Sequence, residues 1–398
     1  MKKLITMIFL STFCLAQVQT EGFIGINTQQ YSSKDNKHSN NITLEQKLKL
    51  SYEKENTLSI LEIYAQEDST DFLDSKDNKR SFIRINELYS QYENDNSKIL
   101  LGKNIRFWGA LEVKNIVDTF NLQEGRNDPF ETDKIGAYNI AYSYFFEDSE
   151  ISIIAKLYEQ KNKLASNKYM YSILKNAESL KNKLESEKSL YRPSLYLLYN
   201  GTSNEDDYSL DYAFIYENGY DSQRYLSKIS NIYTQHAYLV NKFMTYNTLV
   251  LNSTLYKIEA LYTDVIDDKN ISDYVHIALG IEHTLEPSEN GNELGLLCEY
   301  YYYDTLEKNK LSHIDLGETF QNDLFLGLRY SFNDINNSSA VGGVILDTQD
   351  KEENYYIEYQ TRLNDMFKLK FDYRYFDPSD SKQEGRHQRA ALNISYYF

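Results

Sequence analysis

The side chains of this 398-residue chain that could make or break bonds are few and scattered. Six histidines stand at His38, His236, His276, His283, His313 and His387. No serine and acid are spaced to build a nucleophile–base grouping with any of them. His276 and His283 are separated so that they fall on opposite faces of a strand. The acidic groups Glu205-Asp206-Asp207 and Asp267-Asp268 lack the ligand spacing and glycine turn of a cation loop. No glycine-rich phosphate loop is present. The sequence therefore predicts no enzyme, no metal and no cofactor. What does recur at regular spacing is fixed positive charge. Arg362, Lys368, Lys370, Arg374 and Arg389, with Arg329 nearby, alternate with apolar residues toward the C-terminus. Such charges act on a solute through their field rather than through covalent chemistry.

The composition narrows what could carry them. Lys+Arg is 42 against Asp+Glu 59, a formal charge of −17, which argues against a nucleic-acid partner. Charged residues are 25% and aromatics 14%, so the chain is not a low-hydrophobicity disordered polymer. Two cysteines cannot make a disulfide scaffold. A mean hydropathy of −0.60 excludes a bundle of membrane helices. It does not exclude a membrane β-barrel, whose strands alternate and never average apolar.

Residues 1–16 read as a secretory signal peptide. Lys2 and Lys3 start it, Leu4 to Phe13 are mostly apolar, and a cut falls after Ala16. The apolar run is too short to span a bilayer as a helix. Lipidation of Cys14 is disfavoured by the bulky Phe13 before it. Cys298 then remains as a single thiol, read as a small apolar residue on a strand face.

Beyond the signal, apolar residues recur at every second position. Ile42, Leu44, Leu48, Leu50 and Tyr52 alternate with Thr43, Glu45, Lys47, Lys49 and Ser51. Val275, Ile277, Leu279 and Ile281 alternate with His276, Ala278, Gly280 and Glu282. Leu324, Leu326 and Leu328 alternate with Phe325, Gly327 and Arg329; Phe367, Leu369, Phe371 and Tyr373 alternate with Lys368, Lys370, Asp372 and Arg374. Each segment thus has one apolar and one polar face. The faces are long enough for a tilted strand to cross a bilayer. Aromatic runs such as Tyr300-Tyr301-Tyr302-Tyr303 suit the membrane–water girdles. Charge on the opposite face suits a wet lumen, because facing lipid would cost about 2–4 kcal/mol at the midplane. A soluble sandwich or solenoid explains these features less well.

The pattern predicts an all-β fold: a single antiparallel transmembrane barrel over 17–398, of about 18 strands, with 16 if one weak hairpin is lost. The spans are 22–31, 42–53, 57–66, 81–93, 98–108, 135–146, 150–159, 190–200, 207–217, 241–251, 255–264, 273–285, 293–304, 322–333, 340–348, 354–363, 367–376 and 387–398. Short polar turns alternate with longer loops at 67–80, 109–134, 160–189, 218–240 and 305–321. An even count places both termini in the periplasm. In 160–189, Met170, Ile173, Ala177, Leu180 and Leu184 recur at helical spacing and predict an amphipathic helix.

Three stretches resemble known barrels. The ending, with Leu392, Ile394, Tyr396 and a terminal Phe398, resembles the insertion signal of bacterial outer-membrane barrels, without the glycine often found there. Leu101 to Gly109, followed by Asp118, Asn121 and Gly136, resembles the approach to the third extracellular loop of porin-type barrels. Phe320 to Arg329 with Asn333-Asp334 is similar to a strand of such proteins. The resemblance implies a Gram-negative outer-membrane porin, with Ile394, Tyr396 and Phe398 read by the barrel-assembly machinery. It also implies that loop 109–134 folds inward as a constriction. Its carboxylates Glu112, Asp118, Asp128, Glu131 and Asp133 would then face the basic wall of Arg329, Arg362, Lys368, Lys370, Arg374 and Arg389.

The function expected is a water-filled channel for passive diffusion of small hydrophilic solutes or ions, with a weak cation bias from the acidic balance. A substrate-specific channel or exporter for sugars or polysaccharide, and a loop-plugged surface-anchoring barrel, are the alternatives. Expected partners are outer-membrane lipid, the assembly machinery and the solutes, with a homotrimer or a monomer as the two assembly states. Barrel proteases and phospholipases tend to have fewer strands than predicted here.

Overall fold

The computed structural model describes residues 18–32, 40–73, 79–127, 133–166, 169, 179–184, 189–229, 232–266, 268–307, 320–349, 352–377 and 387–398. The proposed signal peptide lies outside these residues. Eighteen strands make one sheet. The first nine are β1 Val18–Ser32, β2 Asn40–Lys54, β3 Thr57–Asp68, β4 Phe82–Glu93, β5 Ser97–Asn104, β6 Ala137–Phe145, β7 Ser149–Lys156, β8 Ser194–Asn204 and β9 Ser209–Tyr220. The rest are β10 Leu239–Leu251, β11 Thr254–Val265, β12 Tyr274–Thr284, β13 Glu293–Thr305, β14 Asn322–Ser331, β15 Ser339–Asp347, β16 Glu353–Arg362, β17 Phe367–Asp377 and β18 His387–Tyr397. Each pairs antiparallel with the next, and β18 pairs with β1, so the sheet closes.

Closure leaves no sheet edge with unpaired backbone groups in lipid. The seam is tight. Ile26 lies opposite Ile394 and Asn27 opposite Asn393. The N–H of Gly22 donates to the carbonyl of Phe398 at 3.0 Å, and the N–H of Phe398 returns the bond at 3.1 Å.

The two-residue period decides which side chains meet lipid. Leu324, Leu326 and Leu328 share the outer face with Val344 and Leu346 of β15, their register partners. Phe367, Leu369, Phe371 and Tyr373 do the same opposite Thr361, Tyr359 and Ile357. Cys298 is exposed on the outer face of β13. The run Tyr300 to Tyr303 divides by alternation: Tyr300 and Tyr302 point out, whereas Tyr301 and Tyr303 are buried inward. Only half of that run can serve an interfacial girdle.

At one end the connections are short and held by their own side chains. Asn94 Oδ1 accepts the N–H groups of Asn96 and Ser97. Asn364 Oδ1 accepts those of Met366 and Phe367. In the Asn252-Ser253 turn, Asn252 takes a φ of 52°, a left-handed conformation that asparagine tolerates. The other end carries the long loops. Among the described residues no helix is long and apolar enough to cross a membrane, and Thr70–Leu73 is a single short turn.

Two expectations are corrected. The strand predicted over 98–108 ends at Asn104, where the chain leaves the wall after Gly102 at φ 140°. Within the predicted helix of 160–189, Ser179–Leu184 is extended and pairs in parallel with Ile232–Ala237, which also pairs with Tyr225–Ile229. The hairpin 225–237 offers a free sheet edge, and its hydrogen bonds outweigh a weak helical pattern. Met170, Ile173 and Ala177 lie outside the described residues.

Candidate functional site

The site is the inner face of the barrel, and its main feature is the segment that joins β5 to β6, described over 105–127 and 133–136. It crosses to the wall on β8 and β10–β15. Trp108 and Phe120 pack with Tyr196 of β8 in a three-ring cluster, with centroids 5.2–5.7 Å apart. Leu111, Ile116 and Val117 join Met244, Leu261 and Ala278 in one buried apolar cluster. Gly280 leaves the space that Leu111 fills; a Cβ there would stand 2.6 Å from Leu111 Cδ2.

A loop pressed against a wall loses water as a partner, so its N–H groups need acceptors. Two wall carboxylates supply them. Glu259 of β11 accepts from Ala110 at 2.6 Å, Leu111 at 3.2 Å and Val117 at 3.3 Å. Glu299 of β13 accepts from Glu112 at 2.6 Å and Val113 at 3.2 Å. The Tyr301 hydroxyl accepts from Lys114 and donates to Glu299. Gly109 has φ 144°, and a Cβ there would collide with Asn115, whose Oδ1 accepts the Leu111 N–H.

The loop consumes most of its own charge. Asp118 pairs with Lys134, and its second oxygen takes the Trp108 N–H. Asp133 pairs with Arg84 of β4, and Glu124 pairs with Arg84 and Arg126. Burial pushes the Asp118 and Asp133 carboxyls above their ordinary range, against the pull of Lys134 and Arg84. Burial acts the same way on Glu124, but hydrogen bonds and charge from Arg126 and Arg84 prevail and hold it below. Of the expected constriction acids, only Glu112 meets the basic wall, at Arg329, which also binds Glu282. Asp128 and Glu131 lie outside the described residues.

Two of the other wall cations meet wall acids instead. Lys370 Nζ lies 2.9 Å from Glu358, and Arg389 lies 2.6 Å from Asp372. Arg374 sits over the Tyr356 ring at 4.9 Å. Arg362 donates to the Asp365 carbonyl at the short-turn end and lies opposite Lys368 in register. Lys47 and Lys49 of β2, not singled out from sequence as site residues, extend this charged wall across the seam; Lys47 pairs with Glu62 at 2.9 Å. Apart from Arg389 and Glu62, which are buried, these groups remain partly exposed.

The wall under the loops on β7–β12 is different. Lys242 binds Asp221 at 2.6 Å, and Tyr274 donates to the same carboxylate. Lys156 and Arg224 both bind Glu159, and Tyr196 donates to Glu217 at 2.8 Å. All of these charged groups are buried. Neither Glu259, Glu299 nor this network was picked out from the sequence. A signal was present: Ile154, Leu198, Ile215, Met244 and Leu261 are apolar on the face that alternation assigns to water. Strands apolar on both faces indicate a covered lumenal side.

The insertion-signal residues Ile394 and Tyr396 share the outer face of β18, and Tyr396 contacts Phe367 and Phe398. Among the described residues no group of His, Cys, Asp or Glu could hold a metal ion.

A closed barrel of 18 antiparallel strands, apolar outside and charged within, has the architecture of a transmembrane β-barrel. No protein-family model and no curated protein matches the sequence. Among solved structures, the chain is similar to OccAB1 of Acinetobacter baumannii, with TM-score 0.57 and 7% identity over 96% of each chain. It is also similar to OccK8 (OprE) of Pseudomonas aeruginosa, with TM-score 0.55, 9% identity, and 96% and 98% of the two chains covered. OccD3 (OpdP) of the same organism gives TM-score 0.53 and 9% identity, covering 96% of this chain and 91% of that one. At these identities the likeness is one of fold.

Proposed function

We propose that this protein is a water-filled channel that passes small hydrophilic solutes, anions in preference to cations. The observation that carries this reading is the one-sided docking of the loop after β5. Its apolar side covers β8 and β10–β15, where Val113 packs with Phe325 and Ile345, which leaves the charged wall of β16–β18, β1 and β2 in contact with water. The cation bias expected from net charge gives way to a local argument, because selectivity is set where the passage is narrow. There the loop acids Asp118, Glu124 and Asp133 are already paired within the loop or with Arg84. Lys368 and Arg362 carry no ion pair among the described residues and stand side by side.

Planar-bilayer recording of the refolded mature chain tests this. Stepwise conductance and a reversal potential of anionic sign in a KCl gradient are expected. Absence of steps would favour a loop-plugged anchoring barrel, and a cationic sign would defeat the selectivity assignment. For assembly, we propose that Phe398 is read during insertion and then completes the seam at Gly22. Phe398→Ala should lower the yield of heat-resistant barrel in the outer membrane while leaving single-channel conductance unchanged.

A further inference from the structure

Below the docked loop, where β5 gives way to it, lies a cavity of about 290 Å³. Its lining includes Tyr89, Gln91, Lys98, Arg106, Trp108 and Ser143. Lys98 enters from the short-turn end of β5. Arg106 enters from the first residues of the loop, and its backbone is clamped. Its N–H donates to Asn121 at 2.8 Å, and its carbonyl accepts from Lys134 at 2.8 Å. Its guanidinium is held but poorly used. Nη2 makes one long contact, 3.4 Å to Asn139, and the face lies 5.5 Å from the Phe120 ring. Nε is buried and meets no acceptor. Among the described residues neither Arg106 nor Lys98 forms an ion pair. The one carboxylate whose charge acts on both is Glu150 of β7. Its Oε1 accepts from Ser152 at 2.6 Å, and Ser152 is hydrogen-bonded to Ser143. A second acid, Glu87 of β4, accepts the N–H of the lining residue Ile105 at 3.0 Å. Both nearby carboxylates thus already have donors of their own, while among the described residues neither cation has a carboxylate oxygen at ion-pair distance.

A buried donor without an acceptor is costly unless something supplies one. We propose that this cavity is a binding site for a small oxyanion, held by the fork of Arg106 and the ammonium of Lys98. A guanidinium whose Nη2 makes only one long contact can offer its terminal nitrogens to two oxygens of a carboxylate or phosphate. Gln91 and Tyr89 offer further donors to the remaining oxygens. The site's part in transit rests on the channel reading, since it lies on the short-turn side of the constriction, where a solute that has passed the loop next arrives. Binding itself does not depend on conduction.

Trp108 is the sole tryptophan and lines the cavity, so it reports occupancy directly. The full mature chain, refolded in detergent, is titrated with inorganic phosphate while Trp108 fluorescence is followed. Equilibrium dialysis with labelled phosphate runs in parallel. A saturable response is expected, weakened in 1 M KCl, where the Debye length falls to about 3 Å. Arg106→Gln should raise the apparent Kd by about tenfold or more, as loss of a charge-assisted two-point contact requires. Lys98→Gln should raise it less, and Glu150→Gln should lower it. Arg106→Lys, which retains charge but not the fork, should fall between wild type and Arg106→Gln. It keeps the test open if Arg106→Gln fails to form a heat-resistant barrel. The proposal is overturned if dialysis finds no saturable phosphate binding, or if folded Arg106 variants bind as wild type does. Phosphate binding without conductance steps would keep the site and sink the channel reading; conductance without binding would do the reverse.

Discussion

Two lysine–carboxylate pairs on the inner wall make a controlled comparison. Lys242 and Asp221 are 2.6 Å apart with side chains 1% and 0% exposed; Lys370 and Glu358 are 2.9 Å apart with 40% and 30% exposed. The chemistry is the same and the surroundings are not. The first pair lies in the covered sector of the lumen, shared with Tyr274 and Tyr238. The second lies on the open wall of β16 and β17. Burial raises the dependence of each charge on its partner, since water no longer competes or substitutes. Exposure leaves the pair weak as a fastener and available to a passing ion. Ion pairing alone therefore does not tell a structural charge from a working one. What covers it does.

The largest effect is expected in the covered sector. Asp221→Ala strands the Lys242 ammonium in a dry site, and breaking such a pair costs about 3–5 kcal/mol. The variant should unfold at markedly lower denaturant or temperature, read by loss of heat-resistant mobility. Wild-type stability would remove the distinction between the two sectors.

The intermediate effect concerns the boundary between them. Glu259→Gln with Glu299→Gln keeps the shape of both side chains and weakens their bonds to the loop. The charged acceptors there contribute about 1.5–3 kcal/mol each, against about 0.5–1.5 for neutral ones. The loop should leave its wall more often, giving larger or noisier conductance from a barrel that still resists heat. Unchanged traces would mean that the apolar cluster of Trp108, Leu111, Ile116, Val117 and Phe120 holds the loop unaided.

The smallest effect on stability is expected on the open wall. Lys370→Gln should alter stability by no more than about 1 kcal/mol, as exposed pairs do. It should nevertheless move the reversal potential toward cations, and Glu358→Gln should move it toward anions. Both shifts should shrink in high salt. A Lys370 variant that destabilises as strongly as Asp221→Ala would show that this pair, too, is structural.

Much of the barrel is legible in the sequence because its rules are local. Lys368, Leu369 and Lys370 face in, out and in because successive side chains on a strand do so. Asn94 and Asn364 hold short turns through bonds that reach only two or three residues. The candidate site was legible in part. Arg329, Lys370 and Arg389 could be placed on the inner face from their parity, but their partners could not. Glu112 reaches Arg329 across more than two hundred positions of chain, and Arg389 instead finds Asp372 on the next strand. The helical pattern through Leu180 and Leu184 failed because a free strand edge at Ile232–Ala237 lay elsewhere in the chain.

The sequence by itself determined the alternation, a barrel of about 18 strands and the inward parity of Arg329, Lys370 and Arg389. Each follows from a period of two or from a turn, within reach of a few neighbouring residues. Only the tertiary structure decided which inward charges stay wet. That choice was made where the loop after β5 laid Ala110 and Leu111 on Glu259 and Leu111 on Gly280. The solvent around a side chain belongs to whatever packs over it, and the residues that pack over this wall come from the far side of the barrel.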